Sequence, residues 1–139
     1  MSMPNSTSEY LLLFRGGDWD KNVSPAELQS AVSGFLTWFE RLNADGILKA
    51  GQPLLPESRI VSGKNGRSVA DGPFAESKEA VGGYFLIKAE GFDEAVAIAQ
   101  QCPILEHGAV VEVRPIAADC PTQQRAQGRT AQQLSPTSP

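Results

Sequence analysis

Four charged side chains, Asp71, Glu76, Lys78 and Glu79, fall within nine residues. Carboxylates and an amine this close together could pass a proton to and from a small molecule, or hold one by its charge. They could equally be a turn whose charges face water, with Asp71 accepting backbone N–H groups beside Gly72-Pro73. What gives the chemical reading weight is the sequence that follows. Gly82-Gly83 leads into the apolar run 84–87, and a glycine pair at a strand entrance lets a ligand or another chain come close to the backbone.

His107 is the only histidine, and histidine is the side-chain type most used for proton transfer near neutral pH, so Asp71 and His107 are the candidates for moving a proton. Lys78 and Arg114 are the candidates for holding an anionic or phenolic substrate, Arg114 through a bidentate contact. Glu112, Tyr84 and Arg15 complete the candidate binding set. Glu112 and Arg114 share one face of a strand, where a simple ion pair is the competing account. The turn 62–66 is glycine-rich but lies in a hairpin and lacks the full phosphate-loop pattern. Two cysteines without paired spacing and one histidine make no metal-ligand set, and no cofactor motif is present.

These residues need elements to position them. Segment 9–15 is apolar on both faces, with Tyr10, Leu12 and Phe14 on one and Leu11 and Leu13 on the other, which predicts a central strand. Ser24-Pro25-Ala26-Glu27 is a capping box with proline at the first helical position. Leu28, Ala31, Val32, Phe35, Phe39 and Leu42 then form one stripe, with Trp38 beside it and Gly46 just past the helix end. A second strand is expected at 47–50, interrupted by Gly51 and Pro53. A hairpin follows, turning at Asn65-Gly66, and then a strand over 82–89. A second helix is expected with Asp93 as its cap and Ala95, Val96 and Ala99 inward. The last strand is 109–115.

The order β-α-β, hairpin, β-α-β is the ferredoxin-like split βαβ arrangement, an α+β fold whose antiparallel sheet carries both helices on one face. The expected divisions are a flexible N-terminus (1–8), one folded domain (9–116) and a polar C-terminal tail (117–139) rich in Gln, Ser, Thr and Pro. The bare sheet face would expose a large apolar patch, so a homodimer through that face is expected. The net charge of −4 disfavours nucleic acid as a partner. No apolar run is long enough to span a membrane, and the N-terminus lacks a secretory pattern, so a cytoplasmic protein is the expectation.

Asp71-Gly-Pro-Phe-Ala-Glu-Ser-Lys-Glu79, Gly82-Gly83-Tyr84 and Val111-Glu112-Val113-Arg114-Pro115 resemble the DGPF branch of the YCII-related family, and the resemblance runs over about 9–115. It implies a dimeric α+β barrel with a pocket between sheet and loops. It also implies a gene neighbourhood that often holds an extracytoplasmic-function sigma factor, hence a possible regulatory protein partner. Among YCII-related proteins a His–Asp pair has been proposed for catalysis, and a member is credited with dehydrochlorinating a hydroxylated aromatic ring. Asp71 lies in the matching motif. The only histidine lies before the last strand, not near the first strand and helix where the enzymatic members carry theirs. The expected function is therefore small-molecule or protein binding in a cleft beside the DGPF loop, with lyase-like or isomerase-like acid–base chemistry as the alternative.

Overall fold

The fold is described from a computed structural model, over residues 7–16, 18–72 and 81–128. Strand β1 (Ser8–Arg15) alternates as the sequence implies, with Tyr10, Leu12 and Phe14 buried and the residues between them half-buried. It is central because both of its edges are taken, one by β5 (Val81–Ala89) and the other by β6 (Val110–Pro115). Strand β2 (Leu48–Pro53) pairs with the far edge of β5, giving the antiparallel order β2-β5-β1-β6. That order, with helices between β1 and β2 and between β5 and β6, is the ferredoxin-like α+β arrangement.

Helix α1 (Pro25–Ala44) starts at the expected capping box. The Ser24 hydroxyl accepts the Glu27 N–H at 3.1 Å, and the Glu27 carboxylate accepts the Ser24 N–H at 2.9 Å. The helix closes on Asp45, followed by Gly46 at φ 73°, a left-handed angle that suits glycine. Its buried face differs from the expected stripe. Trp38 is 2 % exposed and central, whereas Val32 is 45 % exposed. The Trp38 indole stays inside because its N–H donates to Gln101 Oε1 at 3.3 Å.

Helix α2 (Phe92–Ala99) is capped two residues earlier than expected: Gly91, not Asp93, is its cap. The Glu94 carboxylate accepts the Glu90 N–H at 2.8 Å, and Phe92 packs on Tyr10 at 5.8 Å, which together draw the helix start forward. Its buried residues are Ala95, Ile98 and Ala99, and Val96 faces outward. Both helices cover the sheet face carrying Tyr10, Leu12, Phe14, Phe85 and Ile87.

Strand β2 continues through Gly51 to Pro53 where an interruption was expected. A side chain at Gly51 would meet the Phe85 ring at 2.7 Å, so glycine is what lets β2 pass. Proline is tolerated at the end because β2 is an edge strand. Strands β3 (Ser58–Ser62) and β4 (Ser68–Gly72) form the expected hairpin as a separate two-stranded sheet, with Asn65 at φ 61° in the turn. The expected polar tail contains a short helix, α3 (Pro121–Ala126), in which Gln124 is buried. Among the described residues no helix is long and apolar enough to cross a membrane.

Candidate functional site

The middle of α1 is apolar over more of its circumference than the core requires. Val32, Phe35, Leu36 and Phe39 recur at three- and four-residue spacings, and Leu36 is 53 % exposed. These side chains do not face bulk water on a featureless surface. They form one wall of a cavity of about 450 Å3. Opposite them stand Gly51, Gln52 and Pro53 of β2 and residues 82–85 of β5, with Phe14, Arg15, Trp19 and Ile104 closing the end. This volume lies within the range that holds small organic ligands.

Its floor is aromatic. Phe14 meets Phe85 edge-on at 4.8 Å and Phe35 at 5.5 Å, and Phe39 lies 5.6 Å from Phe85. Trp38 packs behind them, 5.4 Å from Phe85 and 5.6 Å from Phe35. Phe14 meets its neighbours edge to face, a geometry that a ring quadrupole favours, while the contacts of Phe85 with Phe39 and Trp38 are tilted. Another flat ring could extend the cluster. Trp19 reaches the wall from a 3-10 turn (Trp19–Asn22), whose first N–H bonds to the Gly16 carbonyl at 3.1 Å.

Polar groups in the lining are few. Arg15 is bound by Glu112 of the neighbouring strand, its Nε and Nη2 lying 2.8 and 2.6 Å from the same carboxylate oxygen. Its charge therefore comes to the cavity already balanced. Gln52 pairs directly with Tyr84, and Tyr84 with Leu13, so by register both side chains share the sheet face opposite the helices. Among the described lining residues, Arg15 and Tyr84 are the ionisable ones.

The remaining candidates have separate partners. Asp71 sits in the hairpin, highly exposed, with its carboxylate 3.2 Å from Arg59 Nε. His107 ends the 3-10 turn Pro103–His107 and stacks on Trp19, centroids 5.9 Å apart and planes 27° from parallel, so Trp19 stands between it and the cavity wall. Glu112 pairs across strands with Arg15, and Arg114, the expected partner, is the weaker one at 4.0 Å and is itself largely exposed. Glu76, Lys78 and Glu79 lie outside the described residues. Among the described residues no cluster of three or more metal-ligating side chains occurs. A cleft beside the DGPF loop was expected from the sequence; that the middle of α1 forms one wall of a cavity was not. The signal for that wall was available in Leu36, an apolar helix position outside the expected stripe.

Fold and cavity together define a small α+β protein with an aromatic-floored pocket between its first helix and the sheet. The YCII-related domain profile matches residues 18–118. The chain belongs to the YCII-related family. No curated protein matches its sequence. Among solved structures, it is similar to the 5-chloro-2-hydroxyhydroquinone dehydrochlorinase (TftG) from Burkholderia phenoliruptrix AC1100, in complex with 2,5-dihydroxybenzoquinone. The identity is 19 % and the TM-score 0.38, over 75 % of this chain and 90 % of that one.

Proposed function

We propose that this YCII-related protein binds an uncharged, ring-containing small molecule in the cavity between α1, β2 and β5. The observation that carries the reading is the aromatic floor with a single charged side chain in its described lining, Arg15, already paired with Glu112. A carboxylate ligand entering there would lose its hydration without an uncompensated cation to replace it. A neutral ring loses little. Covering roughly 200 Å2 of its apolar surface at ~25 cal/mol per Å2 contributes about 5 kcal/mol, which offsets the loss of translational and rotational freedom on binding. Binding is preferred to turnover because Asp71 and His107 have partners of their own, Arg59 and Trp19.

Titration with N-phenyl-naphthylamine, a neutral probe that fluoresces in apolar sites, tests this. Saturable enhancement that is lost in Leu36→Trp, a variant that fills the cavity mouth, is the expected result. An absence of saturation in the wild type, or an unchanged curve in Leu36→Trp, defeats the reading.

We also infer that two copies meet through the sheet face opposite the helices. Leu11, Leu13 and Leu86 are only half-buried there and are bordered by charges of both signs, Glu9 with Lys49 and Glu112 with Arg15. A mixed-sign rim around an apolar centre can be self-complementary about a two-fold axis. Leu13→Lys is expected to sediment as a monomer where the wild type sediments as a dimer, and a monomeric wild type refutes the inference.

A further inference from the structure

Glycine costs stability inside a strand, so each one in β2 and β5 that borders the cavity needs a reason. At Gly51 and Gly83 the reason is packing. A Cβ at Gly51 would lie 2.7 Å from the Phe85 ring, and one at Gly83 would lie 2.9 Å from the Gln52 carbonyl oxygen. Gly82 has neither that reason nor a conformational one. Its φ is not in the left-handed region, and among the described residues a Cβ there meets nothing closer than the Phe14 carbonyl at 3.8 Å.

Its position in the register is unusual. Phe14 pairs with Gly83 and Arg15 with Val81, so one step along β1 corresponds to two along β5. Gly82 is the inserted residue of a β-bulge and has no counterpart on β1. Bulges re-aim the backbone locally and are frequent beside binding sites. This one falls in the cavity lining, and the Gly82 carbonyl is anchored on the far side by the Leu54 N–H at 2.9 Å. The chain thus fixes a bare stretch of backbone against the ligand space.

We propose that Gly82 is a specificity-determining position: the ligand, not the fold, requires its missing side chain, because a flat ring lies against this backbone. The proposal rests on the cavity reading above. It assigns the two neighbouring glycines opposite duties, Gly83 to strand packing and Gly82 to ligand clearance.

The test is a comparison of Gly82→Ala, Gly82→Val and Gly83→Ala by thermal melting and by N-phenyl-naphthylamine titration. Gly82→Ala is expected to melt at or above the wild-type temperature while binding the probe several-fold more weakly. Gly82→Val is expected to lose roughly tenfold or more in affinity, as added methyl groups overfill the site. Gly83→Ala is expected to melt lower whatever the probe does. If the wild type binds and both Gly82 variants bind equally well, the proposal is overturned and the cavity reading stands. A fall in melting temperature for Gly82→Ala as large as that for Gly83→Ala also overturns it, since the glycine would then serve the fold. A wild type that does not bind the probe removes the cavity reading and this one with it.

Discussion

Arg15 and Glu112 hold each other across the β1–β6 boundary, with two guanidinium nitrogens converging on one carboxylate oxygen at 2.6 and 2.8 Å. Both side chains are partly screened from water, so the pair contributes about 1 kcal/mol to stability and more to the charge of the cavity end. Glu112→Gln removes the compensating charge. The expected result is a gain of several-fold in affinity for anilinonaphthalene sulfonate, the anionic analogue of the neutral probe, relative to that neutral probe. Equal ratios in wild type and variant would show that the pair does not set the charge preference of the cavity.

Trp38 is expected to be the most costly single truncation. Trp38→Ala empties a site buried to 2 % exposure at the junction of α1 and β5, for about 3–5 kcal/mol. Gln101→Leu leaves the indole N–H without its acceptor and releases Arg41, whose Nη2 lies 2.9 Å from the same oxygen. Its expected cost is about 1–3 kcal/mol. Urea denaturation of both variants, with the slope of the transition checked for constancy, measures these values.

Much of this architecture was legible in the sequence. The start of α1 could be read because a capping box is a local pattern, complete within four residues. β1 could be read as central because both faces of a short run are apolar. Other features depended on distant residues. Trp38 reads as an aromatic of the core or an interface beside the stripe, but its acceptor, Gln101, lies sixty-three positions away. Asp93 is a reasonable cap until Glu94 reaches back to Glu90 and Gly91 takes that place. Arg114 looks like the partner of Glu112 from their shared strand face, but Arg15 comes closer from the neighbouring strand. The cavity is the extreme case. Phe14, Phe35, Phe39 and Phe85 each read as ordinary core, and only their convergence leaves a gap.

The Glu27 carboxyl is held below its ordinary value, first by the Ser24 backbone N–H, then by the Ser24 side chain, with a smaller pull from His107. A carboxyl depressed on folding adds stability that is present above its unfolded value and is lost as pH falls through the folded one. Glu27→Gln keeps an acceptor but not the charge. Melting curves are expected to separate wild type from variant near neutrality and to converge in strong acid. A constant gap across that range would show that the charge contributes nothing.

The two cysteines are both free, Cys102 buried and Cys120 exposed. Burial pushes the Cys102 thiol above its usual value and keeps it protonated at neutral pH. A thiol reagent is expected to titrate one group in the native protein and both after unfolding. Rapid reaction of two groups in the native state would contradict the burial of Cys102.

The β3–β4 hairpin stands off the four-stranded sheet with Val61 and Val69 more than half exposed, and has at most marginal contact with other elements among the described residues. Two strands alone are marginal in water. Hydrogen exchange should therefore run on two clocks. Amides of β1 and β5 wait for the whole domain to unfold, while those of the hairpin exchange through a local opening that leaves the core intact. A protease cut beside Lys64 would sample the fast clock. Resistance to proteolysis at that turn would consequently report on what covers the hairpin, and not on the stability of the domain that carries it.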